Sequence, residues 1–169
     1  TAYDYFLKWL DRFHAGTERD LEESIILFKK ALEYDNEFAR AYADLSIAYS
    51  ILDIYKAEKE YTEMVIAYAD KAMLYDPELE QSLIAKSLYY MGSNDPDRAI
   101  PFLEKAHKNS PNSAVVLNML SEYYANYSPD TEKYLEYALK GINIDIAGND
   151  STNASFVFLH VGNSFMQAG

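Results

Sequence analysis

Residues 80–113, EQSLIAKSLYYMGSNDPDRAIPFLEKAHKNSPNS, read as one complete helix-turn-helix unit whose landmark residues recur along the chain. Ser87 has counterparts at Ser46, Ser121 and Gly162, and Tyr90 at Tyr49, Tyr124 and Phe165, both sets stepping by 41, 34 and 41 residues. In the second half of the unit, Ala106 answers to Ala31, Ala72 and Gly141, and Pro111 to Asn36, Pro77 and Ile146. These sets step by 41, 34 and 35 residues. Two independent sets of landmarks in one register predict an internal repeat of paired helices.

Outward from that unit, YDYFLKWLDRF places Tyr5, Trp9 and Phe13 four apart on one helical face, with Phe6 and Leu10 beside them. His14-Ala15-Gly16 ends this helix and Thr17 opens the next. Leu21, Ser24, Ile25, Phe28, Ala31 and Leu32 then recur at helical spacing up to Tyr34-Asp35-Asn36. The second repeat carries seven extra residues between Tyr49 and Ala72. ILDIYKAEKEYTEM contains neither Gly nor Pro, so the insert is expected to lengthen both helices by about a turn each. Asp76-Pro77, Asp95-Pro96, Ser110-Pro111 and Ser128-Pro129 each read as an N-cap followed by proline in the first helical turn. The expected repeats are about 1–37, 38–78, 79–113 and 114–147, with AGNDSTNA as a flexible linker. Residues 152–169 then form the first helix of a fifth repeat, so the chain reads as an excised piece or as one closed by a natural cap helix.

A chain of 169 residues, 49% hydrophobic and 15% aromatic, is long enough for one domain with a sizeable core. The absence of Cys excludes disulfides, thiolate metal sites and cysteine nucleophiles, and fits a reducing, cytoplasmic compartment. A net charge of −12 repels a phosphate backbone, which argues against direct nucleic-acid binding. No signal peptide is visible and no apolar run approaches the ~20 residues of a membrane helix, so no membrane association is expected.

The period of 34 residues, with an aromatic-x-x-Leu-small-x-x-Tyr half, resembles the tetratricopeptide repeat. Tyr42, Leu45, Ser46 and Tyr49 carry that half most fully, followed by Leu117, Leu120, Ser121 and Tyr124, then Phe158, Val161, Gly162 and Phe165. Ala99, Leu103, Ala106 and Pro111 carry the other half, with Ser24, Phe28, Ala31 and Leu32 as a looser copy. The resemblance covers nearly the whole chain and implies an all-α fold, a solenoid of antiparallel helix pairs forming a right-handed superhelix in one domain, 1–169. It also implies a concave groove lined by the first helix of each repeat. Carried onto this chain, the family's groove positions proposed to hold a peptide are Arg40, Ile47, Ile51, Gln81, Ile84, Leu88, Met91, Val115, Asn118 and Glu122. Members that hold a C-terminal carboxylate use Lys, Asn and Arg where this chain has Ala43, Ile47, Ile84 and Leu88, so a carboxylate clamp is not expected. Such apolar residues hold a protein or peptide segment, contact one another between adjacent helices, or are covered by a further segment of a longer chain.

Reaction chemistry is sparse. The sequence has no phosphate-cradling glycine loop, nucleophile elbow or paired zinc-ligand helix motif. Glu104 and His107 form a single Glu-x-x-His, whereas a di-iron site requires two such motifs and further Glu residues. Asn143, Asp145, Gly148, Asn149 and Asp150 are oxygen-rich like a calcium loop, but Ala147 and Ala154 stand where ligands are required, so the segment reads as a turn. No enzyme activity, cofactor or metal is expected.

The opening AYDYFLKWLDRFHAGTERDLEESIILFKKALEYDNEFARAYADLSIAYSIL is similar to repeat modules attached to winged-helix or class III cyclase domains in bacterial signalling proteins. That similarity implies an interaction or sensing segment whose effector domain lies elsewhere. The expected function is therefore a non-catalytic protein-interaction scaffold. The alternative is a self-associating module that forms a homodimer through Phe156, Phe158, Leu159 and Phe165 on the terminal helix.

Overall fold

In a computed structural model of the chain, the described residues are 18–54, 56, 58–93 and 95–148. They form helices α1 (Glu18–Tyr34), α2 (Ala39–Ile54), α3 (Thr62–Tyr75), α4 (Glu80–Met91), α5 (Ile100–Asn109), α6 (Ala114–Asn126) and α7 (Thr131–Gly148). A short 3-10 turn, Pro96–Ala99, leads into α5. No strand occurs among the described residues, so the fold is all-α. The expected first helix, its Thr17 boundary and the terminal helix lie outside the described residues.

Three loops show that the register found in the sequence is a register of structure. Asp35 to Phe38, Asp76 to Leu79 and Ser110 to Ser113 are the same four-residue turn at steps of 41 and 34 residues. In each, the backbone N–H of the first residue donates to the carbonyl of the landmark alanine four residues earlier: Asp35 to Ala31 at 3.1 Å, Asp76 to Ala72 at 2.9 Å and Ser110 to Ala106 at 2.8 Å. The Asp76 Oδ1 atom then accepts from the backbone N–H groups of Glu78 and Leu79, both at 3.0 Å. These residues end one helix and turn the chain; they are not helix N-caps as expected. Ser113 is the side-chain cap of α6, accepting from Val116 N–H, and Asp130 Oδ1 accepts from Lys133 N–H near the start of α7. Proline's fixed φ suits the second position of a turn as well as the first turn of a helix, which is why the motif misplaced these starts. Asp95 does precede the 3-10 turn, but its side chain makes no capping hydrogen bond.

The chain divides into two compact units, residues 1–94 and 95–169. Within the first, α2 packs against α1, α3 and α4. Its covering is nearly complete: Ala41, Tyr42, Ala43, Leu45, Ser46, Ala48, Tyr49 and Leu52 are all buried. A helix buried over most of its circumference is central to its unit, because its apolar residues would forfeit their burial in water; the buried set also includes Asp44. Helix α1 contributes Leu21, Ile25 and Phe28 to this core and keeps Glu22, Lys29 and Lys30 in solvent.

Aromatic contacts fix the direction of the α2–α3 pair. Tyr42 stacks on Tyr75 at 5.6 Å and on Tyr68 at 6.2 Å, while Tyr49 meets Tyr68 at 5.8 Å and Tyr61 at 5.1 Å. Later residues of α2 thus meet earlier residues of α3, so the two run antiparallel. The hydroxyl of Ser46 donates across this pair to the Val65 carbonyl at 2.8 Å. The equivalent Ser87 and Ser121 bond carbonyls of their own helices instead.

The second unit repeats the arrangement. Helix α6 buries Val116, Leu117, Met119, Leu120, Ser121, Tyr123 and Tyr124 and packs on α5 and α7. Tyr124 stacks on Tyr137 at 5.9 Å, and Leu117 lies against Gly141, so α6 and α7 are also antiparallel. Residues Asn143, Asp145 and Gly148, expected in a turn, belong to α7; Asn149 and Asp150 lie outside the described residues.

The insert of the second repeat lengthens one helix, not two. Helix α2 has 16 residues against 12 in α4, whereas α3 has 14, as many as Pro96–Asn109. The remainder falls between α2 and α3, where Asp53 Oδ1 accepts from the backbone N–H groups of Glu60 at 2.8 Å and Tyr61 at 3.0 Å. Those bonds give the inserted backbone the partners a helix would otherwise have supplied.

Candidate binding face

The candidate groove residues fall in both units. In the first, Arg40, Ile47 and Ile51 lie on α2 and Gln81, Ile84, Leu88 and Met91 on α4, two first helices that pack directly on each other. Ile47, Ile51, Gln81 and Leu88 are half-buried, so each keeps part of its surface in water. Ile84 and Met91 are buried, with 6% and 7% of their surface exposed. Ile51 also packs on the core of α1, α2 and α3, and Ile47 on the cluster of Tyr42, Ala43, Ala69, Ala72 and Ala85. In the second unit, Val115 and Glu122 on α6 are exposed and Asn118 is half-buried. Phe156, Phe158, Leu159 and Phe165 lie outside the described residues.

Arg40 is the one basic side chain on this part of α2, and its Nε donates to Asp44 Oδ2 at 2.7 Å. The carboxylate beneath it is only 3% exposed. Burial pushes the Asp44 carboxyl up to about 6, against the opposing pull of the Arg40 charge. The cost of removing the carboxylate from water thus outweighs its ion pair.

Two charged positions escaped the motif reading, and the repeat register could have found both. Asp44 occupies the place of Ala85 and Met119 in the next two repeats, both buried. Lys86 occupies the place of Leu45 and Leu120. Its side chain is 12% exposed, pairs with Asp70 of α3 and stands 5.4 Å from the Tyr90 ring centroid. Lysines also flank the tyrosine seam, Lys29 over Tyr49 at 5.6 Å and Lys71 over Tyr42 at 5.1 Å.

His107, of the single Glu-x-x-His, meets the Tyr137 ring edge-on at 5.7 Å. His14 and His160 lie outside the described residues. Among the described residues, no group of three or more His, Asp or Glu side chains could hold a metal ion, and no helix is long and apolar enough to cross a membrane. No protein-family model matches the chain, and no curated protein matches it.

Proposed function

We propose that the chain is a non-catalytic protein-interaction scaffold of the tetratricopeptide type, part of a larger cytoplasmic signalling or regulatory protein of bacterial origin. In this reading it binds a protein or peptide segment along its first helices. The observation that carries the proposal is the direct packing of α2 on α4, which sets half-buried Ile47, Ile51 and Leu88 on neighbouring helices of one unit. Partly covered aliphatic side chains on adjacent helices lose their remaining water when an apolar segment docks, contributing about 25 cal/mol per Å² newly covered. Polar Gln81 and charged Arg40 beside them would fix the register of such a segment.

Affinity capture from native lysate tests this with three proteins: wild type, Leu88→Glu and Leu74→Glu, each first shown to be folded by circular dichroism. Leu74 is 74% exposed on α3, outside the proposed face. A partner lost with Leu88→Glu and kept with Leu74→Glu is the expected result. Equal capture by all three would overturn the proposal.

A further inference from the structure

Helix α2 carries an ionisable group where its repeat counterparts carry apolar ones. Asp44 is 3% exposed, and its equivalents Ala85 and Met119 are also buried. The buried faces packed around α2 offer it little: α1 presents Leu21, Ser24, Ile25 and Phe28, α3 presents Val65, Ala69 and Ala72, and α4 presents Ser82, Leu83, Ile84 and Ala85. None of these is ionisable; the neighbouring helices add phenols, Tyr68 of α3 stacked on Tyr42 and Tyr49, Tyr75 of α3 stacked on Tyr42, and Tyr90 buried on α4. Of the cations on the same elements, Arg19 pairs with Glu23, Lys29 lies over Tyr49, Lys71 over Tyr42, Lys86 pairs with Asp70, and Lys30 is exposed. Among the described residues, Arg40 is the charge that acts on Asp44, from one turn away and through a single hydrogen bond to Oδ2. A carboxylate held this way is balanced between two states. Ionised, it keeps Arg40 but lacks water; protonated, it sheds the desolvation cost and loses the ion pair.

We propose that the Arg40–Asp44 pair is a pH-sensitive element of the α1–α4 unit: a proton taken up by Asp44 breaks the ion pair and stabilises the unit. The direction follows from the difference between the two states. With the folded carboxyl titrating at about 6 and the unfolded one at about 3.9, the contribution to stability is fully present below the unfolded value. It is lost as pH rises through the folded one. The change amounts to roughly fiftyfold in the unfolding equilibrium between pH 4 and pH 7.5.

The test is a carboxyl carbon NMR titration of the full chain, with Asp44 assigned through its backbone, in wild type and Arg40→Gln. It is joined by urea unfolding of wild type and Asp44→Asn from pH 4 to 8. Expected are an Asp44 midpoint near pH 6 that moves upward in Arg40→Gln, and an advantage of Asp44→Asn over wild type that grows with pH. A midpoint at or below 4.5, or one that Arg40→Gln leaves unmoved, overturns the proposal whether or not Asp44→Asn folds. The titration needs no partner, so its failure leaves the binding face standing, and failure of the binding face leaves the titration standing.

Discussion

Lys86→Leu is expected to stabilise the protein, although it destroys an ion pair. Lys86 sits where the preceding and following repeats have Leu45 and Leu120, both 0% exposed, and its own side chain is 12% exposed. Full burial of a leucine contributes about 1.5–3 kcal/mol relative to leaving it in water. Most of the lysine stem is already covered, so only about half of that is new. Against it stands the lost pair with Asp70, which is 60% exposed and rehydrates readily; such pairs contribute about 0–1 kcal/mol. The net is a gain of about 1 kcal/mol. Asp70→Ala should do the opposite and cost up to about 1 kcal/mol, the loss of that same pair. Urea unfolding followed by helical circular dichroism reads both changes, each kilocalorie moving the midpoint by about 0.3–1 M. A Lys86→Leu variant destabilised by more than about 1 kcal/mol, or an Asp70→Ala variant more stable than wild type, would refute the reasoning and with it the equivalence of Lys86 to Leu45.

Ser82→Ala should stabilise by about 1 kcal/mol in the same assay, since the Ser82 hydroxyl is buried with no hydrogen-bond partner among the described residues. Gly141→Ala should add about 0.5–1 kcal/mol: a Cβ there would meet Leu117 Cβ at 3.7 Å, an ordinary contact, and the three equivalent positions are already alanine. Burial first and the 2.7 Å hydrogen bond to Asp97 second push the Tyr123 phenol up to about 12. Its share of stability is therefore present below pH 10 and is lost from there upward through pH 12. Ultraviolet titration should show that the last phenol to ionise is absent in Tyr123→Phe.

The repeat was legible because its landmarks are positions where size is forced. Ala31, Ala72 and Ala106 are 0% exposed, and their carbonyls each accept the turn hydrogen bond that ends a helix, so small residues had to recur at that spacing. Helix starts were less legible. Asp-Pro and Ser-Pro satisfy a turn and a helix entry equally well; here Asp76 Oδ1 accepts the Glu78 and Leu79 N–H groups before α4 starts at Glu80, and Ser113 caps α6 from Ala114. The insert misled for a related reason. Without Gly or Pro it had every local right to be helical, yet the Asp53 carboxylate captured the Glu60 and Tyr61 N–H groups and stabilised a loop. In the candidate face, family resemblance named Arg40, Ile47, Ile51, Gln81 and Leu88, which are half-buried on α2 and α4. It passed over Asp44, which comparison of the repeats with one another marks directly.

The most direct test of the proposed function is site-specific photo-crosslinking, with a photoreactive residue placed singly at Ile47, Leu88 or Leu74 and the chain exposed to native lysate. Adducts to one and the same protein from positions 47 and 88, with none from position 74, are predicted for a segment lying along α2 and α4. Adducts from position 74 while 47 and 88 stay silent would contradict the account.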